Sequence, residues 1–192
     1  SGSTTIAPGQ NAVKTIAMNR LSSQIVLNFV KKIPATDRLD ISSWEVINAP
    51  GYSYIDQKSS DAVTDRTEAL SDSNYFKSPE QQFSSVVIGT QQALQAKFYI
   101  FENRKGKVTA VTSQKKRNAL APARATYIRV KGRYSSPAGV KDIIYKIHLG
   151  KDSLTDYNVE RNSIYTITAT VKSANEYSTQ VDVNKQDSRV DV

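Results

Sequence analysis

Few side chains in this 192-residue chain have the types and spacing that catalysis requires. Glu102, with Asp142 or Asp152 as its partner, could form the carboxylate pair with which glycosidases cleave a sugar linkage. Nothing in the spacing of these acids requires such a pair, and glutamates at strand ends are mostly just exposed. We therefore expect no enzymatic activity and no catalytic residue.

The chain also has few residues that could bind a metal or act as a nucleophile. The chain has no cysteine and a single histidine, His148, which strand alternation places on a polar face. This composition excludes thiol nucleophiles and thiolate metal sites, and a lone histidine is a weak basis for a metal site. The sequence also lacks a glycine-rich phosphate loop and a Gly-x-Ser-x-Gly elbow. We expect no metal and no cofactor.

The basic residues are concentrated in one window of the chain. The net charge is +8, and no acidic residue occurs between Asn103 and Lys141. The basic residues of this window are Arg104, Lys105, Lys107, Lys115, Lys116, Arg117, Arg124, Arg129, Lys131, Arg133 and Lys141. Such charge could attract an acidic polysaccharide, nucleic acid or protein face, although solvated loops and strand faces give the same pattern. The window has few stacking aromatic residues and no predicted helix, so we expect no nucleic acid partner.

The elements that position these residues are predicted to be β-strands. The apolar residues Ile143, Tyr145, Ile147 and Leu149 alternate with mostly polar ones, and residues 165–172 alternate in the same way. Because neighbouring side chains on a strand point to opposite faces, each run has one apolar and one wet face. This pattern is typical of an antiparallel sheet with one side on a core.

A similar run lies inside the basic window. Ile128 and Val130 are predicted to point inward, and Arg129, Lys131 and Arg133 to point outward. These three basic side chains should therefore line one exposed sheet face, which is a candidate ligand-facing surface. We expect it to contribute charge rather than specific recognition.

The rest of the chain is interpreted as further strands and loops. Strands are predicted at 24–31, 83–88 and 98–101, and polar residues 53–79 predict a long surface loop with one helical turn near 65–70. Trp44, on a short strand, is more typical of a core than of a sugar-stacking platform. We place a junction near Gly89. The sequence thus predicts an all-β fold with little helix and two β-sandwich domains, residues 1–88 and 89–192.

Four short segments carry a more specific signal. They are residues 16–21, 98–106, 125–134, and 145–150 followed by 156–167. The most specific part is the pair Arg161-Asn162 ahead of Tyr165, with Leu149-Gly150 upstream. In this order the segments resemble the fimbrillins of Bacteroidetes, which are the subunits of type V pili and their lipoprotein relatives. The resemblance spans roughly Ile16 to Val171.

The resemblance implies a function as well as a fold. It implies transthyretin-like, Greek-key sandwiches, export as a lipoprotein to the outer membrane, and assembly with other pilus subunits by donor-strand exchange. The chain would then be a structural or adhesive subunit of a fimbrium. Two alternatives stay open: a monomeric surface lipoprotein that binds glycan through Trp44 or the basic window, and a basic β protein that binds nucleic acid.

The resemblance also predicts where strand exchange would occur. Only about 15 residues precede the motif at Met18–Arg20, so the first strand of the N-terminal domain is expected to be missing. The strand at 24–31 would then border an open edge with Ile25, Leu27 and Phe29 on one face. Residues 6–13, residues 179–192 or another subunit would have to cover it.

Two motif residues are predicted to have backbone roles. Asn162 should form a turn before the last long strand, because asparagine tolerates left-handed geometry. Gly150 ends a strand, where a residue free to adopt positive φ is useful. The first residues, Ser1 to Thr5, show no signal peptide, and no apolar run reaches the length of a membrane span.

Overall fold

The all-β prediction is confirmed by a computed structural model that describes residues 16–17, 20–53, 72–185 and 189–190. The predicted helical turn near 65–70 lies outside this range. The strands are β1 (Ile16–Ala17), β2 (Ser22–Lys31), β3 (Arg38–Ile47), β4 (Ala49–Pro50), β5 (Tyr75–Phe76), β6 (Ser84–Ile88), β7 (Gln91–Phe101), β8 (Tyr127–Ser136), β9 (Gly139–His148), β10 (Ser163–Ser173), β11 (Glu176–Lys185) and β12 (Arg189–Val190). A helix, α1 (Gln114–Leu120), lies between β7 and β8.

The long strands form two sheets that pack as a sandwich. The larger sheet has the order β11-β10-β2-β7-β6, and the smaller one has the order β3-β8-β9. All neighbours are antiparallel except β2 and β10, which run parallel. Two short pairs, β1 with β12 and β4 with β5, complete the described pairings.

The core lies between the two sheets, where alternate side chains of each strand meet. The predicted inward residues Ile128, Val130 and Ile147 are fully buried, as are Tyr165 and Ile167 from the larger sheet. Each such side chain contributes about 1.5–3 kcal/mol when it leaves water. Aromatic rings also make contacts between the two sheets. The ring centroids of Trp44 and Phe98 lie 5.2 Å apart, and those of Phe29 and Tyr145 lie 5.8 Å apart.

The predicted division into domains at Gly89 needs correction. Gly89 has a φ of 61° and sits in the short turn between β6 and β7, where Ile88 pairs with Gln91. Strand β2 precedes this turn, yet it pairs with β7 and β10, which follow it. One core cluster contains residues from both sides. The polar turn was mistaken for a junction because sequence pattern locates strands without saying which strands pair.

The basic window does contain a helix, contrary to the prediction. Ser113 caps α1 by accepting a hydrogen bond from the Lys116 N–H. Seven residues are too few for helical periodicity to be recognised. Arg117 is 1% exposed and donates to the carbonyl oxygens of Asp156 (2.7 Å) and Leu149 (3.3 Å). The helix is therefore held against the end of β9 by a buried guanidinium.

The two motif residues differ in outcome. Asn162 has a φ of 57°, which agrees with the turn predicted before β10. Gly150 serves a different purpose from the one predicted, because space is limiting there: an added Cβ would lie 1.8 Å from the carbonyl oxygen of Asp156. Gly150 allows the chain to pass close to the loop that Arg117 holds.

Candidate assembly and binding surfaces

The strand predicted to border an open edge lies in the middle of the larger sheet. β2 pairs with β10 on one side and with β7 on the other. Ile25 and Leu27 are fully buried and Phe29 is 1% exposed. The predicted strand-exchange edge at these three residues is therefore wrong. Their alternation marks a core-facing strand, and alternation does not tell a central strand from an edge strand.

The predicted basic face is an array of ion pairs on the outer side of the smaller sheet. Arg129 Nε lies 2.5 Å from Oε1 of Glu45, and Lys131 Nζ lies 3.3 Å from the same atom. Lys131 also pairs with Glu80, and Arg133 pairs with Asp142 at 3.2 Å. The Glu45 side chain is fully buried beneath these cations.

These ion pairs keep Glu45 ionised. Burial alone would raise its pKa, but the hydrogen bonds from Arg129 and Lys131 outweigh burial and lower the pKa to about 2. Because carboxylates hold all three cations of the face, little of their charge is free for a ligand. A ligand-facing role for Arg129, Lys131 and Arg133 stays a prediction, and their pairing weakens it.

Glu102 and its two possible partners, Asp142 and Asp152, each bind different groups. Glu102 is 2% exposed and contacts Arg161 (3.0 Å) and Arg104 (3.2 Å). Asp142 binds Arg133, and Asp152 accepts backbone N–H groups from the turn that follows it. Among the described residues there is also no group of three histidine or acidic side chains that could hold a metal.

His148 does not lie on a wet face as predicted. Its ring is 8% exposed and packs between Tyr127 (5.1 Å) and Tyr157 (5.5 Å). Burial, together with the charges of Arg117 and Lys146, lowers its pKa to about 3. The prediction failed because the α1 region covers this part of the outer sheet face, a contact between distant segments.

Trp44 is a core residue, as the sequence favoured. It is 7% exposed, stacks on Phe98, and donates its indole N–H to the carbonyl oxygen of Gln82 at 3.1 Å. A ring held in this way offers no open platform to a sugar. The glycan alternative that relied on Trp44 therefore loses its aromatic residue.

The free edges of the sandwich differ in charge. Among the described strands, β6, β9 and β11 end their sheets, whereas β3 is bridged at Trp44 by Gln81. β9 carries three charged residues (Lys141, Asp142, Lys146), and so does β11 (Glu176, Asp182, Lys185). The sequence of β6, Ser-Ser-Val-Val-Ile, has none.

β6 also exposes apolar side chains and pairs with only part of β7. Val87 and Ile88 of β6 are 69% and 41% exposed. β6 pairs only with residues 91–95 of β7, so in the described part of the chain no strand follows the second half of β7 on that side. A cleft of about 320 Å³ lies beside it, with Trp44, Phe98 and Ile100 among its walls. We call β6, residues 97–101 of β7 and this cleft the β6 edge.

Comparisons with known proteins address the family and the fold. The family model described as a domain of unknown function, DUF4906, matches residues 98–169. This stretch runs from β7 into β10 and is less than half of the chain. A comparison with curated proteins finds no match.

Solved structures share the fold. A candidate cell adhesion protein from Bacteroides eggerthii has a TM-score of 0.52 at 11% identity, covering 88% of this chain and 56% of that one. One from Parabacteroides distasonis has a TM-score of 0.51 at 13% identity, covering 88% and 53%. The tip fimbrial protein Mfa3 from Porphyromonas gingivalis has a TM-score of 0.45 at 14% identity, covering 87% of this chain and 52% of that one. The chain thus spans about half the length of these structures.

At such identities the similarity shows a common fold. The resemblance to fimbrillins stated from the sequence agrees with this at the level of the fold, because the two neighbours with TM-scores above 0.5 are candidate cell adhesion proteins of Bacteroides and Parabacteroides. Within the described ranges, no helix is long and apolar enough to cross a bilayer.

Sequence reasoning found β6 as a strand but missed it as a surface. The signal was present: residues 84–88 contain no charge, and a glycine turn follows at once. Edge strands of soluble proteins usually carry charges that prevent pairing with other chains. An uncharged strand can equally be a buried central strand, however, and only the strand order separates the two cases.

Proposed function

We propose that this chain is a structural and adhesive module of a cell-surface fimbrium that joins a neighbouring pilus subunit by accepting an extended strand at the β6 edge. The fold it shares with candidate cell adhesion proteins supports the fimbrial part. The uncharged, exposed β6 beside an apolar cleft is the observation that carries the assembly part. The module is not an enzyme, and its place is the cell surface, where fimbriae act.

Strand addition uses the properties of this edge directly. The backbone of an incoming strand would pair with the N–H and C=O groups on the outer side of β6. Beyond Ser84, where β6 begins opposite the middle of β7, its side chains would reach the cleft beside Trp44 and Phe98. Each net backbone hydrogen bond contributes about 0.5–1.5 kcal/mol, and the apolar contacts add to this.

The other free edges are poorer acceptors. Charged side chains on β9 and β11 would have to be desolvated or matched by every incoming strand. The hydroxyl of Tyr177 already donates to the carbonyl oxygen of Lys146 on β9. β6 itself carries no charge, and Lys97, in the part of β7 beside the cleft, is exposed to solvent, so we assign strand addition to the β6 edge.

A matched pair of substitutions tests the assignment. Val87→Lys introduces a charge on β6, and Val140→Lys introduces the same charge on β9 at a residue of similar exposure, 64% against 69%. We expect Val87→Lys in the full-length protein to reduce incorporation into sheared surface filaments about thirtyfold, because desolvating a charge at the joint costs about 2 kcal/mol. Immunoblotting of the filament fraction measures this.

The control variant should assemble as the unmodified protein does. Circular dichroism of both purified variants confirms that each is folded. Normal incorporation of Val87→Lys would refute assembly at the β6 edge. Loss of assembly in Val140→Lys alone would move the acceptor site to β9.

A further inference from the structure

A long depression runs along the side of the sandwich opposite the β6 edge. It lies between β9 and β11 and consists of two adjoining cavities of about 410 and 860 Å³, both lined by Ala174 and Asn175. The β2–β3, β8–β9 and β10–β11 turns form one end, and α1 forms the other. Cavities of this size accept small ligands. We call this depression the trough.

Many uncharged hydrogen-bonding side chains line the trough. They include Asn118, Ser136, Ser173, Asn175, Ser178 and Thr179. Asn118 donates its amide N–H to the Tyr177 hydroxyl at 3.2 Å, and its Oδ1 is buried without a hydrogen-bond partner among the described residues. A buried acceptor of this kind is usually satisfied by an ordered water, which is consistent with a polar floor to the trough.

The charged side chains of the trough are mainly positive. The described lining has four lysines, Lys115, Lys141, Lys146 and Lys172, and two carboxylates, Asp37 and Glu176. Glu176 lies 3.6 Å from Lys172, and Asp37 accepts the Tyr134 hydroxyl. Lys141 Nζ lies 3.5 Å from Oδ1 of Asn175 inside the trough. The excess of lysine favours an anionic ligand.

Apolar surface is available in both cavities as well. Val140 lines one cavity and Ile144 the other, and they are 64% and 58% exposed. Hydroxyl and amide groups, cations and small apolar patches together match a sugar ring that carries a carboxylate. A peptide strand fits less well, because β9 is charged and the backbone carbonyl oxygen of Lys146 already accepts a hydrogen bond from the Tyr177 hydroxyl.

We infer that the trough binds an acidic oligosaccharide, with the carboxylate held near Lys141 and the ring hydroxyls bound by Asn175 and Ser178. The inference deepens the adhesive part of the proposed function. It does not depend on strand addition, because the trough and the β6 edge lie on opposite sides of the sandwich.

Calorimetric titration with defined sugars tests the inference. The probes are tetragalacturonic acid and a hyaluronan tetrasaccharide, each compared with its methyl ester, which keeps the rings and most hydroxyls but loses the charge. We expect at least one acid to bind at millimolar concentration or below, and its ester to bind roughly tenfold more weakly. Failure of both acids to bind, or equal binding of acid and ester, overturns the inference.

Single substitutions then locate the site. Lys141→Gln and Asn175→Ala should each weaken binding of the acid roughly tenfold. Lys107→Gln, at an exposed lysine between β7 and α1 that lies outside both the trough and the β6 edge, should leave binding unchanged. Binding that survives both trough substitutions overturns the site. Because Val87→Lys tests only assembly, a variant that binds sugar but does not assemble would separate this inference from the proposed function.

Discussion

The β6 edge and the β9 edge belong to opposite sides of one sandwich and present different chemistry. β6 carries no charge and exposes Val87 and Ile88, whereas β9 carries Lys141, Asp142 and Lys146 and is flanked by a polar trough. Both are free strands of antiparallel pairs, so backbone geometry alone would make them equivalent acceptors. The side chains decide between them: one edge suits pairing with another chain, and the other suits a soluble polar ligand.

Removing the guanidinium that holds α1 should produce the largest effect and should be confined to the β9 side. Arg117→Met leaves carbonyl groups of the Asp156 loop without their buried donor. We expect the free energy of unfolding to fall by about 3–5 kcal/mol. Urea denaturation measures this, with Lys116→Met, an exposed neighbour on the same helix, as the control.

The effect of Arg117→Met should differ between the two sides of the sandwich. If the variant remains folded, the trough should change, whereas the strand addition proposed for the β6 edge should be unaffected. A loss below 1 kcal/mol would show that α1 is held mainly by other contacts, such as those of Gln114 with Ser153 and Thr179.

Acid should weaken the smaller sheet through His148. Its pKa is about 3 in the folded protein and near 6.5 when unfolded, so unfolding takes up a proton between these pH values. Stability should therefore fall as the pH drops from about 6.5 toward 3, by at most about 1.4 kcal/mol per pH unit. His148→Phe keeps a ring between Tyr127 and Tyr157 and should remove this slope.

The experiment is chemical denaturation at pH 6 and pH 4.5 for both proteins. His148 is the only histidine of the chain, so no other residue of this type contributes to the slope. Because the pKa of Glu45 is lowered from 4.5 to about 2, protonation of this carboxylate should cause a second loss of stability below pH 4.5. Identical slopes above pH 4.5 in the two proteins would show that His148 is protonated in the folded state.

The smallest effect is expected for the stability of the isolated chain after substitution at the free edges. Val87→Lys and Val140→Lys both replace well-exposed side chains, so each should change the free energy of unfolding by no more than about 0.5 kcal/mol. Thermal denaturation checks this. A loss above 2 kcal/mol in Val87→Lys would mean that β6 is covered within the single chain.

Local alternation predicted much of the fold, and long-range pairing accounts for most of what it missed. Ile128, Val130 and Ile147 face the core as their pattern required. The central position of β2 was not predictable, because a buried strand with one apolar face has the same pattern in the middle of a sheet as at its edge. Gly89 was misread for the same reason.

The candidate sites show the same limit more strongly. Alternation placed Arg129 and Lys131 outward, but their partners Glu45 and Glu80 come from distant parts of the chain. The sequence could not show that these cations were already paired. The covering of His148 by Tyr157 and the α1 region is likewise a contact between separate segments.

The parallel pairing of β2 with β10 bears on how the chain reaches its native state. Ile25 of β2 pairs with Tyr165 of β10, so the larger sheet is complete only after one of the last strands of the chain has paired with one of the first. Contacts this distant in sequence slow folding, and apolar segments remain exposed in the meantime. In a chain emerging from a ribosome, β2 could pair with β7, but its other edge would stay unpaired until residue 171 had appeared. The parallel pairing therefore requires that this edge of β2 be kept from pairing with other chains while the protein is being synthesised.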